Sequence, residues 1–415
     1  MSSNFYIFLI AAFTTAGVII RPFKIQEAMW AAIGAILLIL FGLISFQAAW
    51  TGIGKGLDVY LFLIGMMSLA ESARREGLFD WLASHAIKLS AGSTTKLFVL
   101  IYLVGIVVTI FMSNDATAVV LTPAVALAAS KAKVKNPLPY LLICAFIANA
   151  ASFVLPISNP ANLVIYGDHM PSLASWLARY TLPSILSIGV TFLILYLTQK
   201  NNLALTLRSD IVIEQLARGG KMALAGIVFT SLLLMLASAK KWNLGYPTVI
   251  AGVSTALLVS LAERKNPIAF FRHISWSVIP LVAGLFVLVE AVQQTGLIGM
   301  LAQHLSASAE EAPGKTSWLA GIIIGVGSNV INNLPAGLIA GTALSQIQLP
   351  DMVRGAVLIG VDLGPNLSIT GSLATILWLN ELRRHGYTIS AWRFLKLGLV
   401  IMIPALLAAL LALLI

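Results

Sequence analysis

About ten apolar runs, each long enough to cross or nearly cross the ~30 Å hydrocarbon core of a bilayer, fill the chain almost end to end. Backbone in hydrocarbon must satisfy its own polar groups, so these runs predict an all-α integral membrane protein with no room for a soluble domain. Only 10% of the 415 residues are charged, against the roughly 25% usual in soluble domains. The net charge of +10 therefore needs a membrane explanation, and no nucleic-acid partner is expected. The first run, residues 5–20, has no basic residue before it and no small-residue cleavage pattern, so it reads as a retained helix and not a signal peptide. The single cysteine, Cys144, excludes an intramolecular disulfide and any site built from several thiolates of this chain.

Internal repetition is visible. A shift of 219 residues lays Glu71, Gly77, Leu78, Leu82, Ala83 and His85 over Glu290, Gly296, Leu297, Leu301, Ala302 and His304 without a gap, and Asn114 over Asn333. The chain then divides into a first repeat at 1–199, a polar linker at 200–221 carrying Arg208, Asp210, Glu214 and Arg218, and a second repeat at 222–415.

Each repeat holds two odd segments. In residues 96–129 an apolar arm meets Ser113-Asn114-Asp115-Ala116-Thr117, and the returning arm is too short to cross, which predicts a re-entrant hairpin. Residues 316–349 repeat that design around Asn332-Asn333-Leu334-Pro335. After each hairpin comes a run interrupted in its middle, 138–168 at Pro156-Ile157-Ser158-Asn159-Pro160-Ala161-Asn162 and 352–380 at Asp362-Leu363-Gly364-Pro365-Asn366. Proline removes a donor and clashes with the preceding turn, so both helices are expected to unwind there.

With five crossings and one hairpin per repeat and both termini extracytoplasmic, twenty of the 26 basic residues fall on the cytoplasmic side with the linker. Five is odd, so the second repeat enters from the opposite side and the topology is inverted. Residues 78–91 are treated as interfacial, and a spanning segment there would add a crossing. Trp50, Trp81, Trp176, Trp242, Trp276 and Trp392 fall at span ends, where an aromatic belt is expected.

Inverted repeats with broken helices and mid-membrane polar residues are the combination of a secondary transporter. The candidate substrate-binding residues are Ser113, Asn114 and Thr117; Ser158, Asn159 and Asn162; Asn332 and Asn333; and Asn366, Thr370 and Ser372. An ionisable group at mid-bilayer costs about 2.5–3.5 kcal/mol on insertion scales, so Asp115 and Asp362 are the candidate proton-coupling residues. Glu71 and Glu290 lie near span ends and read as structural, and the five histidines show no metal-ligand spacing. No phosphate-binding loop, metal or other cofactor is expected, and an enzyme would need a nucleophile with a base, which is not visible.

At the four clusters the sequence resembles the arsenite efflux permeases of the ion transporter superfamily. The resemblance rests on Phe111 to Thr117 with Leu121-Thr122-Pro123, on Ser158 to Leu163, on Asn332 to Pro335, and on Asp362-Leu363-Gly364-Pro365 with Gly371-Ser372-Leu373-Ala374-Thr375 and Leu377-Trp378. It implies export of arsenite and antimonite across the inner membrane of a prokaryote in exchange for protons, in some relatives with a soluble ATPase subunit. Relatives often carry Lys after the last Gly-Pro, where this chain has Asn366. With one cysteine, arsenite would have to be handled as its neutral trihydroxide, through hydrogen bonds. The alternative within the same architecture is a sodium- or proton-coupled carboxylate transporter, or a sodium/proton transporter.

Overall fold

The computed structural model describes residues 3–203, 207 and 215–415. Arg208, Asp210 and Glu214 of the expected linker lie outside the described residues. The first half runs α1 (Ser3–Ile20), α2 (Glu27–Leu40), α3 (Phe46–Lys55), α4 (Leu57–Arg75), α5 (Leu78–Ser90) and α6 (Thr94–Met112). The chain turns at Ser113 into α7 (Asn114–Ala116), a π-helical segment (Thr117–Leu121) and α8 (Thr122–Lys131). Next come α9 (Leu138–Ala150), an unwound stretch, α10 (Pro160–Tyr166) and α11 (Leu173–Gln199). The second half runs α12 (Arg218–Ala239), α13 (Gly245–Ala262), α14 (Pro267–Phe271), α15 (Val278–Gln294), α16 (Leu297–Glu311), α17 (Pro313–Ile331) and α18 (Asn333–Leu344). It ends with α19 (Asp351–Leu363), a 3₁₀ turn (Gly364–Leu367), α20 (Leu373–Arg384) and α21 (Ala391–Leu414).

Among the described residues, six helices are long and apolar enough to cross a membrane: α1, α6, α11, α12, α13 and α21. The count rises to eight if the pairs α3 with α4, bent by 49°, and α15 with α16, bent by 74°, are each one span. Fewer helices pass than the sequence's ten runs because the interrupted runs are split and α2 stops at Leu40 after 14 residues, whereas α6, expected from the sequence as one arm of a hairpin, is by itself long enough to cross. At ~1.5 Å per residue, α9 and α19 with 13 residues each reach only about 20 Å. The 13 residues of α5 are likewise too short to cross ~30 Å alone.

The helices pack as two bodies. In one, α4 lies against α13, α2 against α15, and α1 and α12 cover them. Contact is backbone to backbone: a Cβ at Gly252 would fall 2.2 Å from the Gly65 carbonyl oxygen, so glycine is required there for α13 to approach α4. In the other body α6 packs on α9, α17 on α19, α10 on α18 and α11 on α21. Between them run α5 and α16, which follow α4 and α15 in the chain and lie against the second body.

One tryptophan departs from the expected belt. Trp50, Trp242, Trp276 and Trp392 are exposed, but Trp176 is fully buried, its indole N–H donating to the carbonyls of Phe153 (3.1 Å) and Val154 (3.2 Å). It closes an unwound segment whose free carbonyls need donors, which outweighs an interfacial position.

Candidate functional site

The turns that follow α6 and α17 are built alike. Ser113 and Asn332 take φ of 122° and 74°, a region side-chain-bearing residues rarely adopt, and so end α6 and α17 abruptly. Their side chains then accept from the next helix: Ser113 Oγ from the Ala116 N–H at 3.4 Å, Asn332 Oδ1 from the Leu334 N–H at 3.3 Å. Thr117 Oγ1 lies 2.8 Å from Thr109 Oγ1 across the first tip. At the second, Asn332 Nδ2 donates to the Thr370 carbonyl (3.1 Å) and the Asn333 N–H to the Gly371 carbonyl (2.8 Å), so the tip is held by the break that follows α19.

The unwound stretches are fastened by amides. Asn162 Nδ2 donates to the carbonyls of Ser152, Leu155 and Pro156 at 3.0–3.3 Å, and Ser158 Oγ donates to the Ile110 carbonyl at 2.9 Å. Asn159 Oδ1 caps α10 through the Ala161 N–H at 3.0 Å, and Ser372 Oγ caps α20 through the Thr375 N–H at 3.0 Å. Thr370 Oγ1 donates to the Asn329 carbonyl at 3.2 Å.

Each broken helix also reaches into the other's break. Asp362, at the end of α19 and wholly buried, accepts from Ser152 Oγ (2.8 Å) and Asn159 Nδ2 (2.8 Å). Asn149, at the end of α9, donates to Asn366 Oδ1 (3.0 Å) and Thr375 Oγ1 (3.3 Å), while Asn366 Nδ2 donates to the Phe146 carbonyl (2.9 Å).

Of the residues singled out by sequence, Asn114, Asp115, Asn159 and Asn333 line one small cavity of about 20 Å³. Its remaining walls are Leu63 of α4, Val278 and Val282 of α15, Pro160, Leu334 and Leu373. No Lys or Arg lines it, and Cys144 is buried elsewhere, on α9. The other candidates, Thr117, Ser158, Asn162, Asn332, Asn366, Thr370 and Ser372, stand behind the cavity and hold the breaks and tips. Asp115 is half-buried and also lines a second, larger space of about 580 Å³, together with Ser113. That vestibule runs between α4 and α20 to Glu71, Arg74, Glu381, Arg384 and His385. Its charges pair along their own helices, Arg74 Nε and Arg75 Nε with Glu71 at 2.7 Å and Arg384 with Glu381 at 2.5 Å. Among the described residues no hydrogen bond or ion pair engages the Asp115 carboxylate, and none of their His, Cys, Asp and Glu side chains group to hold a metal.

Sequence reasoning missed Asn149 and Ser152, and it quoted Thr375 in a motif without making it a candidate site residue. The first two are polar positions inside a run that reads as apolar, and a search for uncharged polar groups at mid-run depth would have found them.

Comparison with known proteins places the chain among membrane transporters. The resemblance to arsenite efflux permeases is borne out by curated relatives called arsenical pump membrane protein: one from Escherichia coli is 27% identical over 420 residues, 95% of each chain, and one from Yersinia enterocolitica is 26% identical over 410 residues, 95% of this chain and 94% of that one. Among solved structures, the YdaH transporter of Alcanivorax borkumensis superposes with a TM-score of 0.58 at 15% identity, covering 99% of this chain and 97% of that one. MtrF of Neisseria gonorrhoeae, described with a class of antimetabolite efflux pumps, gives 0.52 at 12% identity, covering 91% and 83%. The chain is a multi-pass membrane transporter, and because the citrate transporter model matches residues 9–360, it belongs to that family, CitMHS.

Proposed function

We propose that the protein exports arsenite and antimonite as neutral trihydroxides in exchange for protons, by alternating access, across the inner membrane of a prokaryote. The observation that carries this reading is the small cavity where Asn114, Asp115, Asn159 and Asn333 converge from both halves of the chain, with no thiol and no cation on its walls. Three amides and a carboxylate suit a small neutral polyhydroxyl solute. A neutral solute gains nothing from the membrane potential, so uphill export needs a coupled ion. Asp115 and Asp362 are the carboxylates proposed to carry the proton, and Asp115 is the better placed because it faces both the cavity and the vestibule.

Two inverted-topology repeats, residues 1–199 and 222–415 around a cytoplasmic linker at 200–221, would give the alternation. Positive φ at Gly77 and Gly296, and again at Ser113 and Asn332, falls at the 219-residue spacing of the sequence repeat and supports this. So does the packing, in which α4 on α13 and α2 on α15 are reciprocal pairings between the halves. Under the charge rule the vestibule beside Arg74 and Arg384 opens to the cytoplasm, and movement of the body carrying the broken helices past the other would close it.

The test is arsenite uptake into everted vesicles with and without a proton gradient. Uptake indifferent to collapse of the gradient would refute the coupling. A second reading, a sodium- or proton-coupled carboxylate or sodium/proton transporter, is favoured by the citrate transporter match itself. With no cation on the cavity walls, the amino ends of α10 and α18 would have to hold a carboxylate. Sodium- or proton-driven citrate uptake in the same vesicles would establish it.

A further inference from the structure

The cavity is two-sided in a way that follows the two bodies. Every polar side chain on its wall, Asn114, Asp115, Asn159 and Asn333, belongs to the body of broken helices and hairpin tips. Everything the other body contributes, Leu63 from α4 with Val278 and Val282 from α15, is aliphatic. A solute held there can hydrogen-bond on one side only, and any hydroxyl turned to the aliphatic side loses its water without a partner. The trihydroxides of trivalent arsenic and antimony are pyramids, with three hydroxyls to one side and a lone pair to the other. A tetrahydroxide such as germanic acid is also small and neutral, but its hydroxyls point in all directions.

We propose that Leu63, Val278 and Val282 are specificity-determining residues that select neutral solutes with hydroxyls on one face. The proposal rests on the export reading above. It also gives the aliphatic wall a second use, since a solute bonded to one body alone can travel with it and leave no hydrogen bond to break on the other.

The experiment compares arsenite and germanic acid uptake in everted vesicles energised by a proton gradient, normalised to the amount of folded transporter. Wild type is expected to favour arsenite by roughly tenfold or more, the discrimination an apolar wall gives against an unpaired hydroxyl. Val278→Thr and Val282→Thr add a hydroxyl at nearly constant volume and are expected to narrow that ratio by about tenfold. Val282→Ala, which enlarges the space without adding a polar group, is the control and is expected to leave the ratio unchanged. Equal rates for the two solutes in wild type, or an unchanged ratio in both Thr variants, overturns the inference. Absence of gradient-driven arsenite uptake in wild type overturns the export reading, and the inference with it.

Discussion

Asp115 and Asp362 are both acids at interruptions in apolar runs, yet they are held in opposite ways. Asp362 has a donor on each oxygen and no exposure, whereas the Asp115 carboxylate looks into open space. Removing Asp362 should therefore act on stability. Ser152 Oγ lies 2.8 Å from the Asn149 carbonyl as well as from Asp362, so it can turn, but the Asn159 amide would be orphaned. Asp362→Ala is expected to cost about 1–3 kcal/mol, read as earlier thermal unfolding in detergent. Asp115→Asn should leave that unfolding close to wild type while abolishing gradient-driven arsenite accumulation and sparing downhill exchange. Unchanged accumulation would remove Asp115 from the coupling. Cys144 is fully buried away from both spaces, and Cys144→Ser should transport arsenite at the wild-type rate.

At the scale of elements, sequence and structure meet most closely where a residue type forces the backbone. Pro156 and Pro365 mark breaks, and both appear as short 3₁₀ turns between helices. The turns that end α6 and α17 are found at Ser113 and Asn332, one residue before the Asn pair that aligned in sequence. What pattern alone does not reveal is which elements touch, because an apolar face reads the same whether it meets lipid or protein; Trp176 is the instance, called interfacial by position and buried by the break it serves. Close approach is another such property. A Cβ on Gly364 would sit 2.3 Å from the Gly325 carbonyl oxygen, whereas one on Gly189 of α11 meets nothing within 4 Å. Gly364→Ala should cost about 1–3 kcal/mol by forcing the 3₁₀ turn away from α17. Gly189→Ala should be neutral or stabilising by about 0.5–1 kcal/mol through reduced chain entropy. Thermal unfolding of the two variants side by side checks the contrast.

For the whole molecule, the division into two bodies was not legible in the sequence, since helices adjacent in the chain fall in different bodies and α4 finds its partner in α13 from the other half. The candidate site was legible in part: the four polar residues on the cavity wall all came from the motifs, while Leu63, Val278 and Val282 on its aliphatic side lie in ordinary apolar runs with nothing to mark them. The vestibule supplies a test of sidedness. In a Cys144→Ser background, Val119→Cys should react with a membrane-impermeant maleimide in everted vesicles and be protected in intact cells, because Val119 lines the space that opens beside Arg74 and Arg384. The reverse pattern would invert the assigned orientation.

The reciprocal bonds, Asp362 into the first break and Asn149 into the second, mean that neither half of the chain is self-sufficient. A polypeptide ending near residue 203 would keep Ser152 and Asn159 but lack their acceptor, and one beginning near 215 would keep that acceptor without its donors. Such fragments made separately should accumulate poorly, and co-expression should raise the amount of both, a contrast read by immunoblotting membranes from the three strains.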